Sequence, residues 1–310
     1  MLDAKKLAGK VKARKAKRVL LQVPEGLKMR AQELAAGLEK AGIEVFISGE
    51  PCYGACDVRD CSARLLNCDL LVHLGHTDLG LETRVPVLYE ECRLDLDPVP
   101  LLKKHLGLLS APKRLGLSTT VQYLSGLEKA KAFLESQGKE VLLASSPKTK
   151  CPGQILGCDF SGPKSIESQV DAFLFIGSGY FHPLGISMAV EKPVLFLNIE
   201  NGQLLNMKSE KEMLQRVRFA QVEKAKEAET FGILLSTKPG QFHLKQAEQA
   251  KKRLEALGKQ AWTLLMNEIT PEKLLGLKLD CLVNCACPRL TDDSRLFKKP
   301  ILNLDDLEKL

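Results

Sequence analysis

The chain has 310 residues, 45% of them hydrophobic and 27% charged, which is the balance of a globular protein with a core of its own. No run of eighteen apolar residues occurs, so a membrane-spanning helix is not expected. The first nineteen residues lack the apolar segment of a secretory signal, and we therefore expect a cytoplasmic protein.

The net charge of +7 is concentrated at the start of the chain, where eight of the first eighteen residues are Lys or Arg and one, Asp3, is acidic. Clustered cations attract polyanions such as nucleic acids. Here, however, no aromatic residue is interleaved with the cations and no nucleic-acid-binding motif follows. The segment is therefore predicted to be a solvated helix, with no direct contact to nucleic acid.

Twelve short apolar runs rich in Val, Leu, Ile and Phe alternate with stretches of helical periodicity. Near-continuous apolar runs are typical of parallel strands that are covered by helices on both faces. The runs form three sets of four: 18–24, 44–49, 69–76 and 85–90; then 114–120, 140–145, 171–177 and 193–199; then 231–237, 261–266, 281–286 and 300–304.

Between the first and second strand of each set lies a predicted helix that ends in a glycine, the expected left-handed stop. These helices span 29–42, 121–138 and 242–258, with the stops at Gly42, Gly138 and Gly258. Another long charged helix, predicted at 209–229, connects the second set to the third.

Each fourth strand opens with a proline, and the intervals between Pro86, Pro193 and Pro300 are both 107 residues. Equal intervals predict three copies of one unit. The predicted fold is α/β, with three related domains around a central pocket, each a small, mostly parallel sheet flanked by helices. The predicted domains are 1–108, 109–206 and 207–310.

Ten cysteines without an export signal indicate a reducing compartment, where thiols serve as metal ligands, catalysts or small buried side chains. Ligands of parallel sheets bind beyond the carboxyl ends of the strands. Each copy has cysteines in that place: Cys52, Cys56 and Cys61 in the first, Cys151 and Cys158 in the second, and Cys285 and Cys287 in the third.

Three interpretations of these thiols remain open. The spacing in 52–61 is close to a CxxxCxxC cluster loop, although its last interval is longer. Cys281 and Cys285 would suit one half of a zinc site. One thiolate from each copy would hold an iron–sulfur cluster with one iron open to substrate. The cysteines predicted to be small buried side chains are Cys68, Cys92 and Cys281.

Other polar candidates lie at strand ends. The segment 177–185, GSGYFHPLG, follows a strand and enters a helix, so its amides suit a carboxylate or phosphate, although a tight turn explains it equally. KPGQ at 238–241 takes the place after the first strand of the third copy. His73 and His76 flank a strand end and are predicted to be structural, hydrogen-bonded histidines rather than ligands. No Ser-His-Asp order, Walker loop or HExxH string occurs.

Seven motifs in order resemble those of the archaeal diphthamide synthases, the 2-(3-amino-3-carboxypropyl)histidine synthases, over nearly the whole chain. The motifs are VPEGL (23–27), PCYGACDV (51–58), HLGHT (73–77), GQILGCD (153–159), GSGYFHPLG (177–185), KPGQ (238–241) and NCACPRL (284–290).

The resemblance implies three α/β domains around a 4Fe–4S cluster, with one cysteine ligand from each domain. Carried over by motif, the ligands are Cys56, Cys158 and Cys287. Many relatives have adjacent cysteines in the first motif, whereas here Asp57 follows Cys56. Cys52 and Cys61 therefore remain alternatives in that motif.

The resemblance also implies the reaction. A reduced cluster cleaves S-adenosylmethionine to methylthioadenosine and a 3-amino-3-carboxypropyl radical, which joins C2 of a histidine in elongation factor 2, the first step of diphthamide synthesis. The implied enzyme is a homodimer that uses an electron donor. The residues expected to bind the cosubstrate are Gly177, His182, Gly240 and Gln241.

Three alternatives compete with this assignment. Quinolinate synthase is a dehydratase with three α/β domains and a three-cysteine cluster, but the YGAC, HPLG and ACPRL strings favour diphthamide synthesis. A non-catalytic partner subunit is disfavoured because one chain contains all three ligand motifs. A plain zinc-binding module is the third alternative.

Overall fold

The computed structural model describes residues 2–310, in which parallel strands alternate with helices. The strands are β1 (Arg18–Gln22), β2 (Glu44–Ile47), β3 (Leu70–Leu74), β4 (Val87–Glu90), β5 (Arg114–Thr119), β6 (Glu140–Leu143), β7 (Ala172–Gly177), β8 (Val194–Asn198), β9 (Gln203–Asn206), β10 (Thr230–Ser236), β11 (Gln260–Met266), β12 (Cys281–Asn284) and β13 (Ile301–Asn303).

The α-helices flank these strands, and none in residues 2–310 combines the length and apolar character needed to cross a bilayer. They are α1 (Ala4–Ala13), α2 (Lys28–Lys40), α3 (Asp60–Leu65), α4 (Val99–Lys104), α5 (Leu124–Ser136), α6 (Ser161–Ile166), α7 (Phe181–Ala189), α8 (Lys208–Lys226), α9 (Leu244–Ala256), α10 (Ser294–Phe297) and α11 (Leu304–Leu307).

The strands form three sheets with one repeated topology. Their orders are β2-β1-β3-β4, β6-β5-β7-β8-β9 and β11-β10-β12-β13. Apart from the antiparallel pair β8–β9, the neighbouring strands are parallel. The predicted α/β class with three mostly parallel sheets is confirmed.

The chain divides into two compact units, one that ends at Lys208 and one that spans Ser209–Leu310. The first unit contains the first two sheets, and the second unit contains the third. The three-domain division at 108 and 206 and the central pocket stay predictions.

Burial of both sheet faces explains why these sequences form parallel strands. Every residue of β3 and β7 is buried. On α2, Leu34 and Leu38 recur at helical spacing and pack with Val19, Leu21 and Val72 in the core of the first sheet. Each such side chain contributes roughly 1.5–3 kcal/mol when it is fully buried. The apolar sheet and the helical stripe therefore stabilise each other.

All twelve predicted strands form. The unpredicted strand is β9, an antiparallel edge strand in which only Leu204 and Leu205 are apolar, too short a run to stand out. The predicted helix 209–229 begins at Lys208 and ends at Lys226. The three predicted helix stops have the left-handed backbone that favours glycine, with φ of 82° at Gly42 and 77° at Gly138 and Gly258.

Candidate site at the carboxyl ends of the strands

Cys56 lies half-buried on the segment between β2 and α3. Gln22, the last residue of β1, fixes this segment with its buried amide. Its Nε2 donates a hydrogen bond to the carbonyl of Asp57 at 2.6 Å, and its Oε1 accepts one from the amide of Arg59 at 3.1 Å. The amide of Asp57 also donates to the carbonyl of Gly54 at 3.0 Å. The turn that carries Cys56 is thereby fastened to the end of the first sheet.

Two histidines and a second cysteine lie beside this turn. His73, fully buried in β3, places Nδ1 3.0 Å from Oε1 of Gln22 and Nε2 2.9 Å from Nδ1 of His76. The Sγ atom of Cys52 is 3.9 Å from His73 Nε2. The hydrogen-bond partners expected for structural histidines are therefore present at both positions.

Burial shifts the titration of all three groups. It lowers the pKa of His73 to about 3, with a smaller effect from His76, and that of His76 to about 4. Burial also raises the pKa of the Cys52 thiol to about 12, with the nearby Asp57 carboxylate acting in the same direction. Desolvation disfavours the charged form of each group, so in the metal-free protein near neutral pH the imidazoles are neutral and the thiol is protonated.

Cys158 is exposed on the segment between β6 and α6. This segment is joined to its sheet by backbone hydrogen bonds: the amide of Gly153 donates to the carbonyl of Ala144 at 2.7 Å, and the amide of Thr119 donates to the carbonyl of Gly153 at 2.9 Å. Asp159, the next residue after Cys158, accepts hydrogen bonds from the Ser146 hydroxyl and from the amide of Ser161. Each end of the segment is thus anchored.

The motifs HLGHT and GQILGCD contact each other within the first unit. The Nε2 atom of Gln154 donates a hydrogen bond to Oγ1 of Thr77 at 2.9 Å, and both side chains are buried. Thr77 in turn donates to Oε1 of Glu91 at 3.0 Å. The ends of the first and second sheets are therefore connected through polar side chains that sequence analysis did not single out.

The predicted cosubstrate residues Gly177 and His182 lie at the end of β7 and the start of α7. The His182 ring stacks on the buried ring of Phe175 with centroids 5.9 Å apart, and the ring of Phe181 meets it edge-on at 5.1 Å. A Cβ atom on Gly157 would lie 2.0 Å from Cε1 of Phe181. The segment 177–185 therefore packs directly against the one that carries Cys158.

The same segment also contacts the end of β5. The Tyr123 hydroxyl lies 3.1 Å from Oγ of Ser178. Tyr123 belongs to the turn that follows β5, and Ser178 follows β7. The segments that follow β5 and β7, which the sequence predicts at the same edge of the second sheet, are therefore in contact.

Gly240 and Gln241 lie in a short 3-10 helix, Pro239–Gln241, directly after β10 in the second unit. The amide of Gln241 donates to the carbonyl of Lys238 at 2.9 Å, and the Lys238 amide donates to Oγ of Ser236 at 3.2 Å. Lys238 is only 6% exposed. The sequence did not predict this burial; the available signal was a lysine three positions after Leu235, the end of a continuous apolar run.

Cys287 follows β12 and is half-buried. Asn284, the last residue of β12, donates through Nδ2 to the Cys287 carbonyl at 2.7 Å and to Oδ1 of Asn303 at 2.8 Å. Its Oδ1 accepts from the amide of Ala286 at 3.0 Å. A buried side-chain amide at a strand end thus holds a cysteine segment here, as Gln22 does in the first sheet.

Several of the remaining cysteines are core residues. Cys281 and Cys285 are buried in the core of the third sheet, and burial raises the pKa of both thiols to about 12. These two side chains pack as apolar residues, which argues against the zinc pair. Burial also raises the pKa of Cys68, which is buried as predicted, and the half-buried Cys92 packs against the first core. Cys61 is exposed, with its Sγ 2.9 Å from an Arg84 guanidinium nitrogen.

Three sheets of one topology, each with a partly or fully exposed cysteine on a strand-end segment, define an α/β protein whose strand ends carry thiols, which are soft metal ligands. The family model described as "Putative diphthamide synthesis protein" matches residues 23–310, and the chain belongs to this family. The resemblance inferred from the motifs is confirmed.

Named relatives agree with this assignment. The 2-(3-amino-3-carboxypropyl)histidine synthase of Pyrococcus horikoshii is 40% identical over 301 residues, which cover 95% of this chain and 86% of that protein. Subunit 1 of the human enzyme of the same name is 32% identical over 301 residues, covering 94% and 68%.

A solved structure agrees as well. The crystal structure of Dph2 from Pyrococcus horikoshii with a 4Fe-4S cluster superposes with a TM-score of 0.93 at 38% identity and covers 99% of this chain and 90% of that one. These similarities favour the predicted synthase over quinolinate synthase.

Proposed function

We propose that the protein transfers the 3-amino-3-carboxypropyl group of S-adenosylmethionine to C2 of a histidine in elongation factor 2, the first step of diphthamide synthesis. The observation that carries this proposal is the match over 95% of the chain to a protein named for the product of that transfer. The ordered motifs from VPEGL to NCACPRL support it independently of overall identity.

Cys56, Cys158 and Cys287 are the residues that would hold a 4Fe–4S cluster. Thiolates are the usual ligands of such clusters, and each of these cysteines is at least partly accessible and outside any disulfide bond. The cysteines packed in the cores lack that access. When bound by three thiolates, the cluster supplies an electron for cleavage of a sulfonium carbon–sulfur bond and leaves one iron open.

The chain's own residues must orient the cosubstrate, because three carbon–sulfur bonds meet at the sulfonium and only one is to break. The amides at the start of α7 suit the methionine carboxylate. The ring of His182 stacks on the buried ring of Phe175, and this packing holds it in one orientation at the start of α7. Gly240 and Gln241, next to the buried Lys238, are the corresponding candidates in the second unit.

We infer further that the enzyme works in the cytoplasm as a homodimer and receives electrons from a separate donor. The resemblance to the archaeal synthases supports these inferences.

The deciding experiment incubates anaerobically reconstituted protein with dithionite, S-adenosylmethionine and elongation factor 2. We expect methylthioadenosine to be released and the factor's histidine to gain the aminocarboxypropyl mass. Condensation of iminoaspartate with dihydroxyacetone phosphate, without methylthioadenosine, would instead identify a quinolinate synthase. An unchanged histidine would indicate a non-catalytic partner, and zinc without iron in the purified protein would indicate a zinc module.

A further inference from the structure

Cys52, His73 and His76 come from three places in the first unit, and their possible ligand atoms lie close together. Cys52 lies after β2, His73 lies within β3, and His76 follows β3. The Cys52 Sγ and one ring nitrogen of each histidine all lie within 4.8 Å of one another. Cys52 is 3% exposed and His73 is completely buried. Three potential metal ligands are thus enclosed together, outside the set of cysteines proposed for the cluster.

The hydrogen bonds around His73 fix which ring nitrogen carries its proton. Gln22 must direct its NH₂ group at the Asp57 carbonyl and its oxygen at the Arg59 amide, because the backbone allows no other orientation. The same oxygen faces His73 Nδ1 at 3.0 Å, so Nδ1 is the donor. In the neutral ring Nε2 is therefore unprotonated, and it lies 2.9 Å from His76 Nδ1 and 3.9 Å from Cys52 Sγ. A ligand histidine that donates its other N–H to an oxygen is the usual arrangement at protein metal sites.

We propose that Cys52 Sγ, His73 Nε2 and His76 Nδ1 bind one divalent ion of the zinc class, with a fourth position open to water. Binding releases the proton of the Cys52 thiol to solvent and moves the single proton of the neutral His76 ring from Nδ1 to Nε2, so one dipositive ion replaces one proton. Sulfur with two imidazole nitrogens is a donor set that zinc favours.

The spacing of the ligand atoms fits a tetrahedral ion. Tetrahedral zinc with ordinary bond lengths separates two nitrogens by about 3.3 Å and a nitrogen from a sulfur by about 3.6 Å. The observed separations are 2.9 Å between the histidine nitrogens and 3.9 Å from Cys52 Sγ to His73 Nε2. Binding would therefore move the histidine nitrogens apart by about 0.4 Å and bring Cys52 Sγ closer to His73 by about 0.3 Å, while Gln22 holds His73.

This ion would have a structural effect on the neighbouring segment. Cys52 and Cys56 flank one turn, so a bond from Cys52 to an ion held by β3 braces the segment that carries Cys56. The competing explanation is that the three side chains form only a hydrogen-bonded group. Metal analysis distinguishes a bound ion from a metal-free hydrogen-bonded group, and it does not depend on measuring catalysis.

The test uses the full chain with Cys56, Cys158 and Cys287 all replaced by Ser, stripped of metal and titrated anaerobically with Co²⁺. We expect one equivalent to bind, with a thiolate-to-cobalt charge-transfer band and tetrahedral d–d bands that Zn²⁺ abolishes. Adding Cys52→Ser should remove the charge-transfer band, and adding His76→Ala should weaken binding at least tenfold. Cys68→Ala, which removes another buried thiol of the same sheet, should change neither.

Zinc and iron contents of the native-sequence holoprotein provide the second measurement. We expect about one zinc per chain, lost in Cys52→Ser but kept in Cys68→Ala, with iron unchanged in both. Absence of zinc and of cobalt binding overturns the proposal, as does a charge-transfer band or zinc content that survives Cys52→Ser. These metal measurements do not depend on methylthioadenosine release, so the metal site and the proposed function are tested separately.

Discussion

Asp171 accepts hydrogen bonds from both the backbone and the side chain of Arg114. Its Oδ2 lies 2.8 Å from the Arg114 amide, and its Oδ1 lies 2.8 Å from a guanidinium nitrogen. Arg114 opens β5, whereas Asp171 directly precedes the neighbouring strand β7. The carboxylate therefore joins the starts of two adjacent parallel strands.

The other two sheets use a carboxylate in the same position. Asp69, which precedes β3, accepts from the amide of Arg18 at 2.9 Å, and Asp280, which precedes β12, accepts from the amide of Thr230 at 2.9 Å. The amide of Lys17, followed by that of Arg18, lowers the pKa of Asp69, and the hydroxyl of Thr230, followed by its amide, lowers the pKa of Asp280. The repeat thus includes a charged link at the amino ends of the strands, opposite the edge that carries the cysteines.

We predict that Asp171→Asn lowers the free energy of unfolding at neutral pH and that its effect disappears in acid. The Arg114 side chain, followed by backbone amides, lowers the pKa of Asp171 to about 2. Because the folded-state pKa is lower than that of the unfolded chain, the stabilisation is complete above about pH 4 and lost as the pH falls toward about 2. Urea unfolding across that interval measures it. Asp95→Asn, at an exposed ion pair, is the control, and a pH-independent difference would contradict the prediction.

Gly116→Ala should destabilise the second sheet. A Cβ atom there would lie 2.5 Å from Cδ1 of Phe173, which is buried on the adjacent strand. Such overpacking typically costs about 1–3 kcal/mol. Gly9→Ala is the matched control, because nothing lies within 4 Å of its Cβ position on α1 and alanine favours a helix by roughly 0.5–1 kcal/mol. Thermal unfolding should show shifts of opposite sign, and equal shifts would rule out the steric cause.

Replacement of Gln22 by Leu should cost about 2 kcal/mol or more in metal-free protein. The change leaves His73 Nδ1, the Asp57 carbonyl and the Arg59 amide without this partner, and each buried polar group left unpaired costs roughly 1–3 kcal/mol. Urea unfolding gives the value. Gln137→Leu serves for comparison, since that side chain is exposed and donates a hydrogen bond to the neighbouring Ser136 hydroxyl. Comparable losses for the two variants would contradict the assigned role.

Cys56→Ala, Cys158→Ala and Cys287→Ala should each reduce the iron content of reconstituted protein to less than half of the parent value. A methyl group cannot replace thiolate donation to iron. Cys68→Ala should retain full iron because that thiol is buried in the apolar cluster of the first sheet. Iron analysis and the visible absorption of the cluster measure the effect. If any of the first three variants keeps its full iron content, the replaced cysteine is not a cluster ligand.

His182→Ala should weaken the binding of S-adenosylmethionine about tenfold, equivalent to about 1.4 kcal/mol, while leaving the iron content unchanged. The ring is packed between Phe175 and Phe181 at the entry to α7, so its loss removes an oriented contact without touching a proposed cluster ligand. Calorimetric titration with the cosubstrate measures the affinity. An unchanged dissociation constant would remove His182 from the cosubstrate site.

Local patterns predicted most of the fold. Apolar runs, the glycine stops and the evenly spaced prolines are local signals, and the strands follow them. The short edge strand β9 lacks such a signal because only two of its residues are apolar. An Asp before the third strand of every copy was visible in the sequence as a recurring position, but only the structure shows its partners.

The grouping of Cys52 with His73 and His76 was beyond sequence reasoning. Cys52 and His73 are 21 positions apart, and strand pairing, which local patterns do not encode, brings them together. The one available signal was a histidine inside an otherwise apolar strand, since a polar group buried there needs partners. One such partner of His73 is Gln22, a polar residue at the end of the largely apolar strand β1.

Gln22 and His73 are direct register partners in the pairing of β1 with β3. A slip of β1 by a single residue would turn the Gln22 amide to the opposite face of the sheet and bring an apolar side chain beside His73. The Cys56 turn would then lose both hydrogen bonds that fasten it. Correct pairing of β1 with β3 is therefore a precondition for the formed Cys56 turn, so a chain with the wrong strand register would lack this turn whether or not a metal is bound.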